Sequence, residues 1–180
     1  METTKSLQDN MHQLIFEILE NSLEEAREGY CTKVEVALLP QGKVRVIDNG
    51  RGMPLSRDLH ASQAVLEKIL AGRPITNVEY SQMGDLTRAG LQAVNSLCET
   101  FQMTVYRQSE KFQQDYVRGI AQHELYAGDG TGISGIKIIL KPDAAIFGET
   151  KFSQEILCAW LTENARHIPN LEFAVRVADV

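Results

Sequence analysis

Between residues 6 and 28 the apolar positions are Leu7, Met11, Leu14, Ile15, Ile18, Leu19, Leu23 and Ala26. Steps of three and four predict a helix that buries one side, and Gly29 supplies the residue that ends it. The other flank carries Glu17, Asn21, Glu24 and Glu28, spaced to form one polar ridge beside the apolar stripe. The period then changes to two. Residues 33–39 alternate, with Val34, Val36 and Leu38 on one face, Pro40-Gln41-Gly42 turns the chain, and residues 44–48 return, which predicts an antiparallel hairpin.

A second helical pattern covers about residues 62–70, with Ala61, Val65, Leu66, Ile69 and Leu70 as its apolar positions. Residues 72–88 have no period and contain Pro74, Asn77 and Gly84. A loop of that length in a compact domain is usually functional or mobile, and residues 72–90 are read as a lid. Residues 90–98 predict a helix with Leu91, Val94 and Leu97 inward, and strands follow at residues 101–107, 112–117 and 136–140. The glycine-rich stretch 128–135 lacks the Gly-Lys-Ser/Thr ending of a P-loop and reads as a flexible β-connection. Ser153 caps a helix to about residue 164, and residues 171–177 form a last strand. The expected architecture is one α+β domain over residues 1–180, a two-layer sandwich with helices on one face of a mixed sheet.

Length and composition agree with a single core: 180 residues, 43% hydrophobic. The net charge is −6 and no run of five lysines or arginines occurs, so the chain is expected to meet DNA only through other domains or subunits. Cys31, Cys98 and Cys158 are dispersed and odd in number, which suits buried thiols of a reducing compartment better than zinc. The polar N-terminus has no signal-peptide core and no apolar run is long enough to span a bilayer, so no membrane partner and a cytoplasmic location are expected.

Two places carry candidate chemistry. An aliphatic run ends at Asp48, followed by Gly50, Gly52 and Pro54. By itself Asp-Asn-Gly is a common hairpin turn, and it is also how a buried carboxylate is set in the floor of a pocket. On the first helix, Glu17 and Asn21 share a face, which is either a solvated flank or a site. As a site it suits a magnesium nucleotide, with one carboxamide oxygen for the metal and a carboxylate to deprotonate water. A strand-end carboxylate that accepts from an exocyclic amine would read adenine.

In combination these segments resemble the Bergerat-fold (GHKL) ATPases, the group of type II topoisomerases, MutL proteins, heat-shock chaperone ATPases and histidine kinases, and within it the gyrase B branch. The resemblance rests on Phe16-Glu-Ile-Leu-Glu-Asn-Ser-Leu-Glu-Glu-Ala26, on Gly29-Tyr-Cys31, on Asp48-Asn-Gly-Arg-Gly-Met-Pro54 and on Gln92-Ala-Val-Asn-Ser-Leu97, and it runs over roughly residues 11–177. It implies a Bergerat fold that binds ATP and Mg²⁺, with Glu17 as general base, Asn21 as the Mg²⁺ ligand and Asp48 as acceptor of the adenine amine. Gly50 and Gly52 would form the turn that admits the base, Arg51 and Pro54 the rim, Met53 a surface packed on adenine, and Gly84 and Gly90 the ends of the phosphate-binding lid.

The match has departures. The lid pattern Gly-Gly-Leu-His-Gly-Val-Gly is here Gly84-Asp-Leu-Thr-Arg-Ala-Gly90, which sets Asp85 near an anionic ligand with Arg88 to offset it. Gly135-Ile136 replaces a Gly-Thr whose hydroxyl helps hold adenine in gyrases, with Thr131 as the nearest hydroxyl of that type. The gyrase dimerising arm, transducer, toprim region and cleaving tyrosine have no counterpart in these residues. The expectation is therefore either a gyrase-type ATPase module, unable alone to cut or pass DNA, or a stand-alone degenerate module that binds an adenine nucleotide or only a protein partner, with little or no turnover.

Overall fold

The computed structural model describes residues 7–178. The first helix, α1 (Leu7–Arg27), covers the expected stretch. Met11, Leu14, Ile15, Ile18, Leu19, Leu23 and Ala26 are all buried. The side chain of Leu7, first in the predicted stripe, lies outside the described residues. Gly29 takes φ 85° and closes the helix by donating to the Ala26 carbonyl at 3.0 Å.

The hairpin β1 (Lys33–Leu39) and β2 (Lys43–Asp48) forms as the alternation predicts. It joins β3 (Cys98–Arg107), β4 (Glu110–Val117), β5 (Ile120–Ala121), β6 (Tyr126–Asp129), β7 (Ser134–Pro142) and β8 (Glu172–Val177) in one eight-stranded sheet. The order is β5-β4-β3-β7-β2-β1-β8, with β6 also on β4. Among the described residues only the β1–β8 pair is parallel, so the sheet is mixed. With the helices layered against it, the chain is the α+β sandwich that the pattern implies. Val36, Val46, Ile138 and Met103 run across the sheet in register and meet α1 with their buried side. α6 (Gln154–Ala165), capped by Ser153 as expected, stacks Trp160 on Phe16 of α1 at 4.8 Å.

The alternate residues of the same strands face away from the helices. There Lys33, Lys43, Arg45, Lys137 and Arg176 gather from four strands, on an acidic chain, around Glu35, which pairs with Lys33 at 3.0 Å, and with Glu172 opposite Lys33. A linear search for basic runs sees none of this patch.

Three parts differ from the expectation. α2 (Leu59–Ile69) starts early because the Asp58 carboxylate accepts from the Ala61 N–H at 3.1 Å. Ser62 then faces inward, bonded to the Ser56 backbone, while Ala61 and Ile69 are exposed. Second, the stretch read as a structureless loop contains a helix, α3 (Asn77–Met83), opened by a capping box of Thr76 and Glu79. α4 (Gly90–Ser96) follows it as predicted. Third, β5, β6 and the short helix α5 (Ala144–Phe147), capped by Asp143, were too short to leave a periodic signal. No helix among the described residues is long and apolar enough to cross a membrane.

The corner from β5 to β6 is held by His123. Its Nδ1 faces the Glu124 carbonyl oxygen at 2.8 Å and its Nε2 the Asp115 carboxylate at 3.0 Å. With an acceptor at each nitrogen, the arrangement favours the doubly protonated ring. The Glu124 carbonyl and then Asp115 raise the His123 pKa. Burial pushes the Asp115 carboxyl up, but hydrogen bonds from His123, Gln102 and Gln113 outweigh it and leave it lowered.

Gly135, at the start of β7, has φ 138°, and a Cβ there would lie 2.0 Å from the Asp48 carbonyl oxygen. That close approach sets β7 against the end of β2. Gly135→Ala is expected to cost more than about 3 kcal/mol, since backbone and not a flexible side chain is in the way; a denaturant midpoint measures it. The His123 contribution to stability is full below the unfolded value near 6.5 and is lost as pH rises through the raised folded value. His123→Gln should therefore flatten the fall in stability from about pH 6 to pH 8, by less than about 1 kcal/mol because the pair is partly exposed. A parent whose stability rises over that interval contradicts the assignment.

Candidate functional site

Between α1 and the sheet opens a cavity of about 290 Å³. Ile18, Val46, Met53, Leu91, Ile136 and Ile138 supply its apolar walls, with Asn21, Ser22, Glu24, Glu25, Glu28 and Asp48 as polar groups. A flat apolar space with few convergent polar groups is the usual form of a small-molecule site.

Asp48 is its floor. β2 ends there, so the side chain continues the inward alternation of Val44 and Val46 and enters the slot. Ser22 Oγ of α1 donates to Oδ2 at 2.7 Å; the Gly50 N–H donates to Oδ1 at 3.0 Å and the Ile136 N–H to Oδ1 at 3.2 Å. Burial pushes the Asp48 carboxyl up and these three donors oppose it. A carboxylate has about four acceptor positions, so one on Oδ2 remains. Ile136, which lacks the hydroxyl of the gyrase pattern, serves Asp48 through its backbone and lines the slot with its side chain. Thr131 is exposed and is not among the cavity residues.

The two glycines of the turn do different jobs. Gly52 has φ 76° and lines the cavity, as a glycine turn should. Gly50 is not in the left-handed region; a Cβ there would press on Glu25 and Asp48 at 3.2 and 3.3 Å. Met53 lines the slot, whereas Arg51 and Pro54 are exposed and outside its lining. Arg51 instead forks onto Glu25, with 2.7 Å and 3.1 Å bonds, reaches Glu28 at 2.8 Å and lies 3.6 Å over the Tyr30 ring. The Arg51 guanidinium holds the Glu25 carboxyl below its usual value, against a smaller effect of burial. This bracket ties the turn to the end of α1.

At the other end, Asn21 lines the cavity, its Nδ2 bonded to the Glu17 carbonyl at 2.9 Å so that Oδ1 is not used in that bond. Glu17 is not part of the lining. Its carboxylate turns to the lid segment and accepts from the Arg88 N–H at 2.7 Å and the Gly90 N–H at 3.1 Å. Gly84 has φ 68° and ends α3; Gly90 has φ 83° and begins α4. Arg88, at a glycine position of the gyrase pattern, keeps a left-handed φ of 62°. Asp85 folds back on Thr87, accepting from its N–H at 2.8 Å and its hydroxyl at 2.6 Å.

The structure thus brings together Asn21, Asp48, Gly52 and Met53 in one cavity and sets Glu17 at the lid. It adds Ser22, Glu25 and Gln13, whose Oε1 accepts from the Leu86 N–H at 3.0 Å. Ser22 and Glu25 were readable only as α1 residues within about one turn of Asn21; their partners lie 26 residues away.

The chain is 35% identical to the DNA gyrase B protein of Thermotoga maritima over 175 residues, and 32% identical to that of Chlamydia pneumoniae over 165. These alignments cover 93% and 86% of this chain but only 27% and 20% of the relatives. The solved 43K ATPase domain of Thermus thermophilus gyrase B, in complex with an aminocoumarin, superposes with a TM-score of 0.76 at 28% identity, over 92% of this chain and 43% of that one. Residues 6–133, most of the chain, match the histidine kinase-, DNA gyrase B- and HSP90-like ATPase family, and the chain belongs to it.

Proposed function

We propose that this chain is an ATP-binding module of gyrase B type, which holds adenine on Asp48 and hydrolyses ATP with Glu17 as general base. The observation that carries the reading is the Asp48 carboxylate. Three fixed donors occupy it, and its remaining acceptor on Oδ2 lies in an apolar slot. Such an acceptor suits an exocyclic amine and repels a carbonyl oxygen, which is the difference between adenine and guanine at that edge. Ile18, Met53, Ile136 and Ile138 supply contact for the faces of the base.

The donor set also fits the cation. Among the described residues no three His, Cys, Asp or Glu side chains converge as a metal site. A magnesium ion here would rely on Asn21 Oδ1, with water and phosphate oxygens, as a hard ion that keeps several waters can. When bound, it neutralises phosphate charge. Glu17, one turn before Asn21 on α1, would orient a water and take its proton as the water attacks the terminal phosphorus and the bond from that phosphorus to the bridging oxygen breaks, releasing ADP and phosphate. DNA, if it is involved, is reached through other parts of a larger assembly.

A second reading is a module that binds but turns over little. It is favoured by the engagement of both Glu17 oxygens with lid N–H groups and by the non-glycine residue at φ 62° in the lid.

Calorimetry of Mg-ATP separates these readings from a non-nucleotide role. Asp48→Asn exposes an N–H₂ toward donors and should weaken binding at least about tenfold, the loss of one charge-assisted hydrogen bond; undiminished affinity rejects Asp48 as the adenine contact. Glu17→Ala should bind Mg-ATP at least as tightly as the parent while phosphate release falls about 10²- to 10⁴-fold, the usual worth of a general base. If the parent itself releases no phosphate but binds ATP, the second reading stands.

A further inference from the structure

α1 grips the lid from two positions one turn apart. Gln13 accepts from the Leu86 N–H at 3.0 Å, and the two oxygens of Glu17 accept from Arg88 at 2.7 Å and Gly90 at 3.1 Å. Thr87 donates to Asp85 at 2.8 Å and the Ala89 N–H to the Leu86 carbonyl at 3.0 Å. Every N–H from residue 86 to residue 90 thus has an acceptor within the chain. The shorter Glu17 bond falls on Arg88, whose left-handed φ a non-glycine residue keeps only when its surroundings hold it there.

We propose that Glu17 is a latch as well as a base: its carboxylate holds the lid N–H groups of Arg88 and Gly90, and an incoming phosphate must displace it to use them. This rests on the nucleotide-binding reading given above. Two anions, one built in and one arriving, compete for the same two donors. An adenine nucleoside without phosphate leaves the latch closed, since it needs only the Asp48 end. A nucleotide opens it.

The exchange has two consequences. A carboxylate with each oxygen held by a backbone N–H is turned to residues 88–90 and not toward a water, so Glu17 is restrained until phosphate takes its place. Base activation is then coupled to arrival of the correct ligand. Phosphate also gains less affinity than it would at vacant donors, because each bond it makes replaces one already present. Discrimination between nucleoside and nucleotide is set by Glu17 and not by the lid backbone alone.

Amide hydrogen exchange without ligand tests the latch directly. In the parent protein the Arg88 and Gly90 amides should exchange slowly; in Glu17→Ala both should exchange at least about tenfold faster, while Leu86 and Thr87, held by Gln13 and Asp85, stay unchanged. Glu17→Gln, with one acceptor oxygen, should keep protection at one of the two. Equal rates in parent and variants overturn the proposal. In calorimetry, Glu17→Ala should raise affinity for Mg-ATP about tenfold and leave adenosine within about twofold, since only the triphosphate displaces the carboxylate. A parallel change for both ligands also overturns it. If neither ligand binds any of these proteins, the nucleotide-binding reading fails, and the exchange rates decide the latch alone.

Discussion

The structure depends on the way one half-buried carboxylate is satisfied. Asp48 takes its donors from three separate parts of the chain: the last third of α1 through Ser22, its own turn through Gly50, and the start of β7 through Ile136. A buried charge left unpaired is costly, so each donor is a constraint on the relative placement of helix, turn and sheet. The Gly135 backbone, which passes so close to the Asp48 carbonyl that no side chain fits, is the steric counterpart of the same constraint. The cavity follows from it. Once α1 and β7 are fixed on opposite sides of Asp48, the apolar side chains between them must line a gap, and the acceptor not used by the protein points there.

α1 turns that local constraint into a ruler for the whole site. Gln13, Glu17 and Asn21 succeed one another at four-residue steps, and such residues line up along one face. The first two hold the lid backbone, the third lines the cavity, and further along Glu25 and Glu28 hold Arg51 of the turn. The opposite side of the same helix is the most deeply buried stripe of the core. Rigidity of the site is thereby inherited from hydrophobic packing. A change that loosened the stripe would be felt at both ends of the cavity.

How much of this was legible in the sequence depended on whether the information was local. The stripe of α1 and the alternation of β1 and β2 are strong periodic signals, and both elements formed where they were expected. The Asp48 turn was legible as a candidate because its residue types are unusual together, although Gly50 and Gly52 act for different reasons. α3 was missed because only Tyr80 of its seven residues is buried, so no apolar stripe exists; the Thr76–Glu79 capping box was the available sign. Gln13, Ser22 and Glu25 were missed because their roles are made by partners 26 to 73 residues distant. The basic patch on the outer sheet face is of the same kind: register, not sequence proximity, assembles it.

The lid shows why departures from a family pattern need to be weighed at the atom that acts. Where the gyrase pattern has glycine, Arg88 still adopts a left-handed backbone, so the conformation is retained at a cost that glycine would not incur. Asp85, whose charge has the wrong sign for a phosphate site, is bonded to Thr87 and so braces the turn from within. What a lid of this type offers a ligand is backbone N–H groups, and those survive replacement of the side chains. The replacements act on the energy with which the donors are presented. In this chain two of those donors, the Arg88 and Gly90 N–H groups, are held by the oxygens of Glu17, and in the proposed reading that contact joins the base to the lid.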